Sequence, residues 1–262
     1  MDIVVCMKQV PETTEVKIDP ETKTLVREGV PSIINPFDAY AIEEGIRLKE
    51  KYGGTVTVIS MGPPQVKEAL KEAVAMGCDQ AVLLSDRAFA GSDTLATSFT
   101  LASGIRKLGD FDMILCGKQA VDGDTAQVGP GIAENLDIPH VTYIKKIREI
   151  EGSDIVLERM VEGGTEVIKT TIPLLITVVK EINEPRLPSL KGIMRAKRTE
   201  ITVWTAVDLG INDSGKTGLD GSPTWVIRVF TPEVRSKGEI LEGEVADMTK
   251  ALVARLRDAK VV

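Results

Sequence analysis

The side chains able to do chemistry by themselves are few: the chain has 262 residues, one histidine and three cysteines. His140, directly after Pro139, has no second histidine with which to build a metal site and reads as a loop or strand-start residue. Cys6, Cys78 and Cys116 are odd in number, far apart and never in a CxxC spacing, which argues against a disulfide framework and against a cysteine-based zinc or iron–sulfur site. They are expected to be small buried hydrophobes. With no catalytic side chain and no metal site expected, any reaction must take its reactive atoms from a bound cofactor or a partner.

The residues best spaced to hold a cofactor follow Leu115-Cys116-Gly117, a strand end. Lys118, Gln119, Ala120, Val121, Asp122, Gly123, Asp124, Thr125, Ala126, Gln127 and Val128 form a small and polar loop leading into Gly129-Pro130-Gly131. Glycine allows close backbone approach, and a helix opening near Asp124 or Thr125 would point free N–H groups and its positive dipole end at a phosphate. Lys118 could add a cation. Asp122 and Asp124 would repel a pyrophosphate beside them, so they are expected to accept from ribose hydroxyls or to cap the helix, with Gln127 completing a capping box. There is no Walker motif, and Glu134 stands where a dinucleotide fingerprint needs glycine. A capped helix after a glycine turn fits this pattern as well. Two further strand ends, Cys6-Met7-Lys8 and Ser60-Met61-Gly62, could close around an adenosine, and Gly91-Ser92-Asp93-Thr94 sets small hydroxyl residues at another helix start.

A second constellation reverses the sign of the chain. Between Lys180 and Arg198, six cations (Lys180, Arg186, Lys191, Arg195, Lys197, Arg198) face two acids (Glu181, Glu184), with Leu187, Leu190, Ile193 and Met194 among them. Apolar anchors inside a basic rim suit a docking loop aimed at an acidic partner surface; a solvated charged loop is the plainer alternative.

The elements that must position these residues follow from patterning. In the first half, apolar β-branched runs (Ile3 to Val5, Thr55 to Ser60, Ala81 to Leu84, Met113 to Cys116) alternate with helical periodicity. One helix opens at Asn35-Pro36-Phe37-Asp38 with Ala39, Ile42 and Ile46 on one face. Another carries Val66, Ala69, Leu70, Ala73 and Val74, and a third is capped by Ser92 with Leu95, Phe99, Ala102 and Ile105 inward. Before the first of these helices lies an excursion with turn signals at Asp19-Pro20 and Glu28-Gly29. The strand–helix repeat predicts an α/β fold, a doubly wound, mostly parallel, Rossmann-like sheet. Val141 to Glu149, Asp154 to Val161 and Glu166 to Ile172 read as added antiparallel strands, and Leu174 to Val179 as a buried strand. The expected organisation is a nucleotide-binding domain over 1–182, a partner-recognition loop and short helix over 183–200, and an extended C-terminal arm over 201–262 that ends in a helix from Val245 to Ala259.

Composition sets outer bounds. Lys+Arg 32 against Asp+Glu 39 gives a net charge of −7, which disfavours nucleic acid as a partner. Hydrophobic residues at 43% and charged ones at 27% are globular values. No signal segment and no apolar stretch long enough to span a bilayer is read at the N-terminus, which predicts a soluble, cytoplasmic, prokaryotic protein that meets a membrane only through a partner.

Taken together, Val5-Cys-Met-Lys-Gln-Val-Pro11, Asn35-Pro-Phe-Asp38, the Cys116-to-Gly129 loop, Asn183-Glu-Pro-Arg-Leu-Pro-Ser-Leu190 and Gly192-Ile-Met-Arg-Ala-Lys197 resemble the small (beta) subunit of electron-transfer flavoproteins. The stretch from Glu162-Gly163-Gly164 to Pro173-Leu-Leu-Ile-Thr177 also resembles that family's signature, and the likeness covers essentially the whole chain. The resemblance implies a heterodimer with a large (alpha) subunit that holds one FAD. It also implies that Cys6, Asn35, Pro36, Phe37, Asp38, Met61 and Gly117 to Val128, with Met7 and Lys8 alongside, enclose a nucleotide. The Leu187-to-Leu190 loop resembles the family's recognition loop for an acyl-CoA dehydrogenase or quinone-linked acceptor, with Leu190 as the anchor, in agreement with the basic, apolar stretch that adds Arg186, Ile193 and Met194 to the expected partner-binding residues.

Val121 to Pro130, Asp86 to Thr97 (carrying Ser92, Asp93, Thr94 and Thr97) and Gly221-Ser222-Pro223-Thr224 are similar to the electron-bifurcating branch of that family. That branch implies a second FAD in this chain, reduced by NADH, whose electrons divide between the large-subunit FAD and a low-potential acceptor such as ferredoxin or flavodoxin. Ser222 and Thr224 would bond the far end of its diphosphate. The alternative is an ordinary shuttle with a structural AMP in the same place. A free-standing adenine-nucleotide module would not need the 180–198 loop, and a self-sufficient NAD-dependent dehydrogenase would need a better acid or base than His140.

Overall fold

The computed structural model describes residues 1–12, 32–227, 238 and 240–261. The expected turns at Asp19-Pro20 and Glu28-Gly29 lie outside the described residues. The order of elements is β1 (Asp2–Cys6), β2 (Gln9–Pro11), β3 (Ser32–Ile34), α1 (Pro36–Tyr52), β4 (Thr55–Met61), α2 (Val66–Met76), β5 (Gln80–Leu84), α3 (Thr94–Leu108), β6 (Met113–Gly117) and α4 (Val128–Leu136). There follow β7 (His140–Glu151), β8 (Asp154–Val161), β9 (Gly164–Thr171), β10 (Leu174–Val178), α5 (Leu190–Arg198), β11 (Thr202–Trp204) and α6 (Val245–Asp258).

A nine-stranded sheet runs β11-β5-β4-β1-β6-β10-β7-β8-β9, and every pairing from β11 to β7 is parallel. The chain builds outward from β1 to β4 and β5, then crosses back to β6 on its other side, so the strand order reverses between β1 and β6. Strands buried on both faces read as unbroken apolar runs because alternate residues enter different cores. Ile3 and Val5 join Ile42 and Ile46 of α1, Leu70 of α2 and Ala196 of α5 on one face. Val4 and Cys6 join Leu101 and Ile105 of α3 and Ile132 of α4 on the other. The doubly wound, mostly parallel α/β architecture is therefore present as read.

The run beginning at Val141 is not purely antiparallel: β7 pairs in parallel with β10 before it pairs antiparallel with β8. It continues the main sheet as well as founding the β7–β9 extension. Residues of the expected arm also fold onto this chain, since Thr202–Trp204 pairs with β5, and Trp204, Ala206, Leu209 and Ile211 pack on the core beneath α3. Asp93, not Ser92, caps α3 by accepting from the N–H groups of Leu95 and Ala96, while Ser92 Oγ donates to the Phe89 carbonyl at 2.8 Å. Leu95 points outward, at 57% exposure, because the first turn of α3 borders the open ends of the strands.

Candidate functional site

The carboxyl ends of β1 and β6 lie side by side, with Cys6 opposite Cys116 in register. Both thiols are buried and free. Hydrogen bonding with Cys6, together with burial, pushes the Cys116 thiol up, and the two buried side chains form a compact wall. Met61 at the end of β4 packs into the same apolar cluster.

Two side chains at the start of α1 tie the surrounding loops together. Pro36 stands at the first helical position, where its missing N–H costs nothing. Asn35, fully buried, donates from Nδ2 to the Gln119 carbonyl at 2.9 Å, and its Oδ1 accepts the Val121 N–H at 3.1 Å. Asp38 accepts the Lys8 N–H on Oδ2 at 2.8 Å and the Gly117 N–H on Oδ1 at 3.2 Å. One turn of one helix therefore fixes both the β1 loop and the β6 loop. Burial pushes the Asp38 carboxyl up to about 7, even though the Lys8 and Gly117 N–H groups and the Asn35 side chain favour its charged form.

The electrostatic difficulty posed by the two loop aspartates is met within the loop itself. Lys8 Nζ pairs with Asp122 Oδ1 at 2.5 Å, and Gln119 Nε2 donates to Asp124 Oδ1. Lys118 is not available as the cation of this loop, because its ammonium sits 5.8 Å from the Phe37 ring and 5.5 Å from the Tyr143 ring. There it lines a separate cleft of about 620 Å³ with Arg159, Lys180 and Glu181.

The expected helix start at Asp124 or Thr125 is corrected to Val128. Asp124 and Ala126 take left-handed backbone angles (φ 54° and 55°), which no helix can include, so the capping box with Gln127 does not form. Gln127 is the N-cap residue yet makes no side-chain cap bond, so the first turn of α4 has no side-chain cap from it. A Cβ on Gly123 would meet only Lys8 Nζ, at 3.9 Å, so the loop has free space at this point.

The opposite rim is built from α3 and the arm. Asp93 Oδ2 accepts from Thr224 N–H at 3.1 Å and Thr224 Oγ1 at 2.8 Å, while Ser222 Oγ accepts the Asp93 N–H at 2.8 Å. These hydroxyl and N–H donors outweigh partial burial and hold the Asp93 carboxyl below its ordinary value. Thr94 Oγ1 lies 3.3 Å from Thr125 Oγ1 and joins this rim to the β6 loop. Thr97 lies in the first turn of α3, its N–H donated to the Asp93 carbonyl at 3.0 Å. Hydrogen bonds and one ion pair thus link Lys8, Asn35, Asp38, Gly117, Gln119, Val121, Asp122 and Asp124, and through Thr94 and Thr125 also Asp93, Ser222 and Thr224, near the strand-order reversal, while Lys118 lies apart from them.

The residues read as a docking loop lie apart from that network. Leu187 is 90% exposed and Leu190 83% exposed, with Ile193 and Met194 also exposed on α5. Arg186 is turned inward onto Glu43 and Glu50 of α1. Burial would raise the Glu43 carboxyl, but hydrogen bonds from Arg186 and Arg47 outweigh it and hold the group below its ordinary value. Glu43 escaped the sequence reading, though a signal existed: it lies on the same face as Ala39, Ile42 and Ile46, where a charge needs a partner.

The electron transfer flavoprotein domain family matches residues 22–209 of this chain. The chain is 54% identical to the electron transfer flavoprotein subunit beta of Thermoanaerobacterium thermosaccharolyticum, with both chains covered in full. It is 50% identical to the caffeyl-CoA reductase-Etf complex subunit CarD of Acetobacterium woodii, again over the whole of both. To Protein FixA of Azotobacter vinelandii it is 47% identical, over 98% of this chain and 94% of that protein.

Proposed function

The chain belongs to the electron transfer flavoprotein beta-subunit family, and from that premise we propose that it is the small subunit of an electron-bifurcating heterodimer, holding a second FAD beside the one in the large subunit. When bound, that FAD supplies hydride acceptance from NADH and one-electron transfer, in one direction to the large-subunit FAD and an acyl-CoA dehydrogenase or quinone-linked acceptor, in the other to ferredoxin or flavodoxin. The likeness to a subunit named for a reductase-Etf complex supports membership in such an assembly.

The observation that carries the reading is the pair of opposed polar rims. On one side the α4 N-terminus lies uncapped beyond the roomy Gly123 turn; on the other, Asp93 holds Ser222 and Thr224 in place. Such a crevice suits a dinucleotide, with phosphate at the helix N-terminus and further hydrogen bonds from the far rim. Asn35 and Asp38 hold the loops in binding shape before the cofactor arrives, and Lys8 and Gln119 offset the two aspartates that would otherwise repel it. Cys6, Met61 and Cys116 supply an apolar wall that excludes water from the ring system. No side chain of this chain needs to change covalently; its part is to bind, orient and shield.

Residues 183–200 present the partner-recognition surface. Trp225 to Ile227 and α6 pack on the large subunit, in keeping with Trp225, Val226 and Ile227 at 69 to 87% exposure and an α6 that buries none of its residues within this chain. No described helix is long and apolar enough to cross a membrane. The test is anaerobic titration of the heterodimer with NADH. Bleaching of two flavins per heterodimer supports the reading; one flavin that NADH does not reduce leaves the ordinary shuttle with AMP.

A further inference from the structure

The exposed leucines of the docking loop stand between two straps. On the upstream side, Asn183 Nδ2 donates to the Tyr40 carbonyl at 3.0 Å and to Glu44 at 2.9 Å. Arg186 then grips α1 with its whole guanidinium: Nε to Glu43 Oε2 at 2.8 Å, Nη1 to Glu50 Oε1 at 2.5 Å and Nη2 to Glu50 Oε2 at 3.0 Å, with its backbone N–H also on Glu43 at 3.1 Å. On the downstream side, Arg195 Nη2 donates to the Val74 and Cys78 carbonyls at the end of α2, at 2.5 and 2.8 Å. Gly192 lies so close to the Ala75 carbonyl oxygen that any side chain there would overlap it.

Glu43 has only 2% of its side chain exposed and is shared by Arg186 and Arg47. A buried ion pair of this kind contributes little net stability against an apolar replacement of the same shape, and its best-supported use is to fix one conformation. What it fixes here is the segment that carries Leu187 and Leu190. With two carboxylates on its guanidinium, Arg186 adds no net positive charge toward a partner.

We propose that Arg186 is a positioning residue: by clamping the docking loop to Glu43 and Glu50 of α1, it holds Leu187 and Leu190 in their docking arrangement before the partner arrives and does not itself touch the partner. Preorganisation of this kind spares the partner the ordering of a loop on binding. The inference rests on the docking role assigned to the loop under the proposed function.

The test uses the intact heterodimer with an acyl-CoA dehydrogenase as the probe, comparing Arg186→Ala, Arg186→Lys and Leu190→Ala. Electron exchange is followed against dehydrogenase concentration, and amide hydrogen exchange of residues 184–190 is measured without the probe. Arg186→Ala is expected to speed exchange of those amides at least tenfold. It should also raise the half-saturating dehydrogenase concentration about tenfold, with a smaller effect on maximal rate. Arg186→Lys, whose single ammonium cannot fork two carboxylates, should fall between. Unchanged amide exchange in Arg186→Ala would show that the clamp does not order the loop and would overturn the inference alone. Wild-type electron exchange in Leu190→Ala would overturn the docking reading and the inference with it.

Discussion

The Oδ1 oxygen of Asp38 accepts the Gly117 N–H at 3.2 Å, and a Cβ on Gly117 would overlap that same oxygen while lying 2.6 Å from the Phe37 carbonyl carbon. The last residue of β6 and the first turn of α1 are therefore in contact through a position only glycine can fill. The contact joins the two sides of the strand-order reversal.

Gly117→Ala is expected to force α1 and β6 apart. Overpacking of this kind costs roughly 1–3 kcal/mol, and the displaced Asp38 would release the Lys8 loop as well. Denaturation midpoints and nucleotide content of the purified heterodimer should both fall; a variant with wild-type stability and full nucleotide content would show that the contact is dispensable.

Asp38 makes stability depend on pH in a definite direction. Its folded-state value, pushed up to about 7, lies above the unfolded value of 3.8, so folding favours the protonated form. This contribution is fully present below about pH 4 and is lost as pH rises toward 7. The largest possible change is about 4 kcal/mol, from 1.36 kcal/mol per unit. Urea denaturation of the heterodimer between pH 4.5 and about 7.5 should show a shallower fall in Asp38→Asn than in the parent chain, whatever the variant costs in absolute stability. Parallel curves would remove Asp38 as the source.

Lys8 and Asp122 separate binding from stability. Their side chains are 47% and 35% exposed, and ion pairs at such sites contribute about 0–1 kcal/mol. Lys8→Ala should therefore move the unfolding midpoint little while leaving Asp122 to repel a phosphate, so nucleotide should dissociate more readily on dilution or dialysis. Retention equal to the parent would argue that Asp122 does not face the diphosphate.

At the other rim, Asp93→Ala removes the cap of α3 and the anchor of Thr224 together. Loss of a helix cap costs about 1 kcal/mol. Limited proteolysis should cut sooner near Ser222 to Trp225, and an unchanged cleavage pattern would mean that the arm is held there by other contacts.

Much of the fold was legible because its strands are buried on both faces. Ile3 to Val5 is apolar without interruption and Leu174 to Val178 is broken only by Thr177, and α2 shows its buried face in Val66, Ala69, Leu70, Ala73 and Val74. What periodicity cannot show is which strand becomes a neighbour. The parallel pairing of β7 with β10 joins His140 to Leu175, and a three-residue strand at Thr202 is too short to carry a pattern. In the loop after β6, the start of α4 did not follow from residue types, because Asp124 and Ala126 take left-handed backbone angles that no periodicity signals. The inward turn of Arg186 was hidden for a related reason. Its partners on α1 lie 136 and 143 residues away in sequence, and composition alone made it look like one more cation on a basic rim.

The measurement that bears most directly on the account is the nucleotide inventory of the heterodimer co-expressed with its large subunit, with flavin and AMP counted per heterodimer after denaturation and chromatography. Two FAD and no AMP per heterodimer are expected. One FAD and one AMP, with cofactor loss during purification excluded, would contradict this and leave the crevice as the site of a structural nucleotide.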